Sequence, residues 1–180
     1  MRPLMAKRWE AGVNIRISEL SGSNSCYFER VPEKLVLEGY RRWTSGYDTG
    51  SVIPWEMAWT LYAEALGIAA GKQALAELSH FIRVLRHCAA CPLRCFPFDS
   101  HHVCREECLT LGLISAMQNG DEPAAHTCLA AIACPVRCDE VADAARIFAG
   151  TLAEFGQTLL PIPKHAIDDI LFRPKRATFH

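Results

Sequence analysis

The chain of 180 residues has no marked excess of charge of either sign, since 19 Lys and Arg face 20 Asp and Glu and leave a formal net charge of -1. Proteins that bind nucleic acid or membrane surfaces through general electrostatics need a clear excess of basic residues. The basic residues here are scattered, with small clusters at Arg41–Arg42, Arg83–Arg86 and Arg173–Arg176. We therefore expect neither nucleic acid nor a membrane among the partners.

Long apolar runs are missing as well. No stretch approaches the roughly 18 to 20 apolar residues that a membrane-spanning helix requires, and the basic N-terminal segment holds no apolar core of signal-peptide length. We therefore expect a cytoplasmic protein, in a compartment that keeps thiols reduced. Half of the residues are hydrophobic and 22% are charged, which is typical of a globular domain with a packed core.

The signatures of several common enzyme classes are also missing. The chain contains no G-x-S-x-G, no Walker loop, no dinucleotide-binding fingerprint and no H-E-x-x-H. Catalysis through a cysteine needs a base, and no histidine stands in an obvious pairing with a thiol. These absences favour a non-catalytic role and leave enzymatic activity an open question.

What the sequence does contain is helical periodicity, which predicts a mostly α fold: a single-domain irregular bundle of about six helices. We divide the chain into an N-terminal extended or loop segment (1–30) with one candidate strand at Val13–Ile17, a helical domain (31–172) and a tail (173–180). Proline is well tolerated at the first helical position. Two predicted helices begin at Pro32 and Pro54. The others span residues 72–88, 103–118, 122–133, 135–155 and 165–172.

The nine cysteines are distributed unevenly, with eight of them in the segment 87–138. The stretch HCAACPLRCFPFDSHHVCREEC, from His87 to Cys108, holds five cysteines and three of the seven histidines. In a reducing compartment such a cluster indicates metal binding, redox chemistry or burial rather than a disulfide framework, and an odd total fits poorly with complete pairing.

A six-residue repeat, Ala-Cys-Pro-apolar-Arg-Cys, ends once at Cys95 and once at Cys138. Proline pushes the preceding residue out of the α region and favours the first helical position, so Cys91 and Cys134 are predicted helix N-caps. Free backbone N–H groups at a helix start stabilise a thiolate. We expect the four sulfurs to lie around a common point and to supply a tetrahedral metal site.

A second set of predicted ligands comprises His101, Cys104 and Cys108, whose i, i+3, i+7 spacing would place them on one stripe of a helix. Cysteine with histidine suits zinc, and dense thiolates suit Cu(I). An iron–sulfur cluster is a weaker option, because Leu85 stands where a ferredoxin-type run would have its first cysteine. The main hypothesis is a non-catalytic protein that holds a soft metal ion, zinc or copper, in a storage, sensing or structural role.

Two alternatives stay open. Cysteine is among the most buried residue types, so the thiols could fill the core of a metal-free helical interaction or regulatory protein with an unidentified protein partner. The two Cys-Pro turns could instead form a thiol–disulfide redox switch.

Overall fold

The computed structural model describes residues 27–172, and the fold over this range is helical, as the periodicity predicts. The candidate strand at Val13–Ile17 and the tail lie outside the described residues. Two short 3-10 turns, Tyr27–Glu29 and Pro135–Arg137, accompany the helices. The α-helices are α1 (Val31–Thr49), α2 (Ile53–Leu66), α3 (Ile68–Cys88), α4 (Arg105–Asn119), α5 (Glu122–Ile132), α6 (Cys138–Glu154) and α7 (Lys164–Phe172).

Local sequence accounts for several helix ends. Pro32 and Pro54 each lie in the first turn of their helix, where the missing N–H has no intrahelical partner to lose. α5 begins after Asp121, whose carboxylate accepts the backbone N–H of Ala124 at 3.0 Å. α4 ends at Gly120, which adopts a φ of 68° that a side chain would disfavour.

α3 lies at the centre of the helical packing, with α2 on one side and α6 on the other, while α4 contacts α1, α5 and α6. The fully buried rings of Phe81 and Phe148 join α3 to α6, with stacked centroids 6.0 Å apart. The buried hydroxyl of Tyr62 donates to the carbonyl of Leu35 at 2.9 Å, which satisfies its polar group between α2 and α1.

The segment 89–104, between α3 and α4, is the longest non-helical stretch of the described range. It opens with an isolated antiparallel bridge between Ala89 and Ala133. The N–H of Ala90 donates to the carbonyl of Ile132 at 3.1 Å, and the N–H of Cys134 donates to the carbonyl of Cys88 at 2.7 Å. This bridge ties the end of α3 to the start of α6.

A buried cation anchors the same non-helical segment to α1. The Arg41 side chain has no exposed surface, and its guanidinium donates to the carboxylates of Glu38 and Glu107, each at 2.7 Å. It also donates to the carbonyls of Ser100 at 2.9 Å and His102 at 2.6 Å. One guanidinium therefore satisfies four acceptors from α1, α4 and the segment between α3 and α4.

The two buried carboxylates accept hydrogen bonds from backbone N–H groups of the same segment. Glu107 accepts the backbone N–H groups of Phe96 and Cys104, both at 2.8 Å, and Glu38 accepts the N–H of Asp99 at 3.0 Å. Buried backbone donors and acceptors need partners, and a non-helical segment cannot supply its own. The side chains of these ion pairs therefore bind the backbone groups of residues 96–104, as backbone hydrogen bonds do within a helix.

Gly71→Ala is expected to destabilise the protein, because an added Cβ would lie 2.8 Å from the backbone oxygen of Tyr62 and force α2 and α3 apart. Overpacking of this kind costs about 1–3 kcal/mol. Gly150→Ala is the matched control in α6, since its Cβ would meet nothing within 4 Å, and it should gain up to about 1 kcal/mol of helix propensity. Urea unfolding of both variants checks the prediction, which equal effects would contradict.

Arg41→Met is expected to cost about 3–5 kcal/mol, because it leaves the carboxylate of Glu107 buried without its cation. The matched control is Arg146→Met on α6, which removes an exposed pair with Asp143 of the same 2.7 Å length. Exposed pairs contribute about 1 kcal/mol or less. Chemical denaturation should separate the two variants clearly, and a small loss for Arg41→Met would show that the network is not needed for stability.

Candidate functional site

Cys88 is the last residue of α3, and its side chain is only 2% exposed. Its thiol donates to a carboxylate oxygen of Glu140, in the first turn of α6, at a sulfur–oxygen distance of 3.8 Å. Two guanidinium nitrogens of Arg137 donate hydrogen bonds to that carboxylate, at 2.9 and 3.1 Å. A thiol, a carboxylate and a guanidinium are thus joined by hydrogen bonds where α3 and α6 meet.

Cys134 lies across the backbone bridge from Cys88. The pattern of the two hydrogen bonds makes Ala89 and Ala133 the central pair, so Cys88 and Cys134 are the next residues facing each other. The hydrogen bond from the N–H of Cys134 to the carbonyl of Cys88 brings the two backbones together at this point. Cys88, Cys134, Arg137 and Glu140 are called the thiol site below.

Electrostatics within the thiol site keep Cys88 protonated. Burial raises the pKa of its thiol, Arg137 opposes that shift, and the neighbouring Glu140 and Cys134 add to it. The hydrogen bonds from Arg137 lower the pKa of Glu140, so this carboxylate is ionised at neutral pH and is a weak base. The arrangement is a neutral thiol held beside an ionised acceptor, next to a second thiol.

Cys138 is the third cysteine near this point. It is the first residue of α6, it is half-buried, and its thiol donates to the carbonyl of Cys134 at 3.5 Å. The prediction that Cys134 caps a helix start, with Cys138 in the first turn, is confirmed: Cys134 precedes the 3-10 turn that leads into α6.

A surface pocket of about 470 Å³ opens beside the thiol site. Both Cys88 and Glu140 belong to its wall, so a small molecule in this pocket would touch the reactive pair of groups directly. The lining residues are Tyr47, Arg83, Val84, Arg86, His87, Cys88 and Glu140.

The first copy of the repeat behaves differently from the second. The prediction that Cys91 caps a helix is wrong, because residues 91–95 lie outside any helix and Cys91 is exposed. Pro97 follows too closely for a helix to form, since the residue before a proline avoids the α region. The carbonyl of Arg94 accepts the hydroxyl of Tyr40 at 2.9 Å instead. Cys95 is half-buried nearby, and burial, with Glu107 adding, raises its pKa to about 11.

The second set of predicted ligands does not share one helix stripe. His101 is exposed and precedes α4, which begins only at Arg105. Cys104 is the residue before that helix, and its thiol donates to the carbonyl of Arg94 at 3.3 Å. Cys108 is buried within α4. The prediction of a common stripe is therefore wrong for His101, because the helix starts later than the sequence suggested.

Cys108 and Cys128 match the alternative in which thiols serve as core side chains. Both are buried, and Cys128 of α5 has no exposed surface. A Cβ added at Gly112 of α4 would lie 3.0 Å from the Cys128 sulfur, so the two helices approach closely at this point. Burial raises the pKa of Cys128 to about 12, with Asp121 adding to the shift.

Among residues 27–172, no three His, Cys, Asp or Glu side chains are arranged so that they could hold a metal ion. Of the seven predicted ligands, Cys134 contacts both Cys88 and Cys138, whereas Cys95 and Cys104 adjoin Glu107 on the other part of the segment. Binding of zinc, copper or an iron–sulfur cluster stays a prediction.

Sequence reasoning did not select Cys88 and Glu140 as site residues. Cys88 stands three positions before Cys91, and Glu140 forms a helical i, i+3 pair with Arg137, so each has a purely local explanation. The contact between them joins residues 52 positions apart. The contact between Cys88 and Glu140 depends on the backbone bridge between Ala89 and Ala133, and no periodicity of the sequence indicates that bridge.

Comparison with known proteins found no family model, no curated protein and no solved structure that matches the chain. The functional interpretation therefore depends on the geometry of the thiol site and its pocket.

In the part of the chain that the structure describes, no helix combines the length and the apolar character needed to cross a membrane.

Native thiol alkylation should distinguish the cysteines by position. Cys91 is expected to react fastest because it is exposed and outside any helix. Cys128 should react only on unfolding, because it is fully buried and its raised pKa leaves little thiolate. Timed iodoacetamide treatment with peptide mass spectrometry measures both rates, and Cys91→Ser should remove the fast phase. Equal rates for the two thiols would contradict the assignment.

Proposed function

We propose that the protein is a non-catalytic, thiol-based regulatory protein in which Cys88 and Cys134 pass between a dithiol and a disulfide. The observation that carries the proposal is the antiparallel bridge, in which the N–H of Cys134 donates to the carbonyl of Cys88 at 2.7 Å. A disulfide needs two cysteines whose backbones lie close together, and this hydrogen bond brings the backbones of Cys88 and Cys134 into direct contact.

The surroundings of the pair support this chemistry. Thiol–disulfide exchange proceeds through a thiolate, and Arg137 is the group of the site that favours the ionised form of Cys88, because its positive charge opposes the rise in pKa that burial causes. Oxidation removes two electrons and two protons from the pair and passes them to an oxidant. A bond between Cys88 and Cys134 would close a long loop and stabilise the fold by about 4 kcal/mol on the loop-entropy estimate.

A cytoplasmic location belongs to the same proposal. Eight of the nine cysteines lie among the described residues, and so high a thiol content suits a compartment where thiols stay reduced until an oxidant arrives. The reduced form would then be the resting state, and the disulfide would form in response to oxidising conditions.

Soft-metal binding is the second candidate, and the position of Cys138 favours it. This thiol donates to the carbonyl of Cys134 at 3.5 Å, so Cys88, Cys134 and Cys138 could converge on zinc or Cu(I) if their side chains turned toward one another. Metal binding often orders its own ligands in this way. The role would then be storage, sensing or structural stiffening.

Oxidation of the reduced protein by diamide, an electron acceptor that needs no binding site, is expected to produce a disulfide between Cys88 and Cys134. Non-reducing peptide mapping identifies the bond, and denaturant unfolding should show the oxidised form to be more stable by up to about 4 kcal/mol. Cys134→Ser should abolish both effects, whereas Cys91→Ser, which removes an exposed thiol in the neighbouring turn, should leave them unchanged.

Two results would overturn the redox proposal. One is a diamide-treated protein in which Cys88 and Cys134 both remain free thiols. The other is elemental analysis showing one equivalent of zinc or copper in protein purified under reducing conditions, with the metal lost in Cys134→Ser and Cys138→Ser. That second result would establish the metal-binding candidate instead.

A further inference from the structure

We propose that the pocket beside Cys88 binds a small anionic disulfide, one that carries carboxylates, and that this molecule is the oxidant of the Cys88–Cys134 pair. The inference rests on the proposed function and adds to it the chemical class of the co-reactant. Its support is the position of one thiol in a pocket whose remaining charged groups are mainly basic.

The shape of the pocket suits a small molecule that approaches Cys88. Its volume of about 470 Å³ lies within the range of roughly 300–1,000 Å³ typical of small-molecule sites. Val84 and Cys88 lie one helical turn apart on α3 and both belong to the wall. Because Cys88 is only 2% exposed, access to its sulfur depends on entry into this pocket.

The charges around the pocket favour an anion. Arg83, Arg86 and His87 line it, against a single acidic lining residue, Glu140. That carboxylate is already held by Arg137, which lies outside the lining, so its charge is matched locally. Guanidinium groups are well-suited partners for a ligand that carries carboxylates.

The two arginines differ in how they are held. Arg86 pairs with Asp48 at 2.8 Å and lies over the ring of Tyr47, 4.9 Å from its centroid, so it forms a fixed side of the pocket. Arg83 is exposed, and its guanidinium contacts the imidazole of His80 at 3.3 Å. An imidazole carries no negative charge that could pair with a guanidinium, so Arg83 is the side chain best placed to bind an incoming carboxylate.

The chemistry is a pair of thiol–disulfide exchanges. The Cys88 thiol releases its proton to water, the thiolate attacks one sulfur of the bound disulfide, and the ligand's sulfur–sulfur bond breaks. The first leaving thiolate takes up a proton from water and departs as a thiol. The Cys134 sulfur then attacks the Cys88 sulfur of the mixed disulfide, and the second leaving thiolate takes up the Cys134 proton. The protein dithiol is oxidised by two electrons, and one disulfide molecule is reduced to two thiols.

The test compares three disulfides on the full-length reduced protein: oxidised glutathione, which is anionic, hydroxyethyl disulfide, which is neutral, and cystamine, which is cationic. We expect oxidised glutathione to form the Cys88–Cys134 disulfide at least about tenfold faster than the neutral compound, and cystamine to be slowest, as charge pairing predicts. Acid quenching followed by mass spectrometry gives the rates.

Variants identify the groups responsible. Arg83→Gln should lower the rate with oxidised glutathione toward that of hydroxyethyl disulfide and leave the neutral rate unchanged. Arg146→Gln, an exposed arginine of α6 outside the pocket lining, is the matched control and should change neither rate. Cys134→Ser should stop the reaction at a mixed disulfide on Cys88, which locates the attacked sulfur.

The outcomes separate the inference from the proposed function. If diamide forms the Cys88–Cys134 disulfide but the three disulfides react at one rate, the pocket is not an anionic-disulfide site, although the redox pair stands. A mixed disulfide found on exposed Cys91 in place of Cys88 would overturn the inference in the same way. If diamide also fails to join the pair, the proposed function itself is wrong.

Discussion

Two backbone hydrogen bonds between residues 88–90 and 132–134 determine where the candidate site lies. They bring the end of α3 to the start of α6, so that a thiol from one helix end meets a carboxylate from the other. The helices themselves are held by packing, with the rings of Phe81 and Phe148 stacked between them. Without that packing, two hydrogen bonds would not hold such distant segments together, because each contributes only about 1 kcal/mol net.

The network around Arg41 supplies hydrogen-bond partners to backbone groups in the same part of the molecule. Residues 96–104 run without helical hydrogen bonds, and several of their backbone groups have partners in the side chains of α1 and α4. Arg41 supplies the donors, and Glu38 and Glu107 supply the acceptors. Apolar side chains of the same size would pack there but would leave those backbone groups unpaired, which explains why charge is buried at this position.

Much of the fold was predictable because its signals are local. Pro54 begins a helix and Gly120 ends one, as their backbone preferences require. The Ala-Cys-Pro repeat shows the limit of that reasoning. Its second copy leads into a helix at Cys138, whereas its first copy stays non-helical, because Pro97 follows and the carbonyl of Arg94 accepts the hydroxyl of Tyr40 from α1.

The site was less predictable than the fold. Glu38 and Arg41 have the i, i+3 spacing of ordinary surface ion pairs on a helix, and nothing in their spacing distinguishes a buried pair from an exposed one. Cys88 faces Cys134 through a bridge between segments that are far apart in the chain. Such pairings depend on how whole helices pack, and a single sequence contains no periodic signal for them.

The bridge also forms the neck of a large loop that carries α4 and α5 between its two ends. α4 is held at a second place as well, because the buried carboxylate of Glu107 pairs with Arg41 of α1 at 2.7 Å. The loop is therefore closed at its neck by two backbone hydrogen bonds and fastened farther along by an ion pair, so its helices share the stability of the helices that surround them.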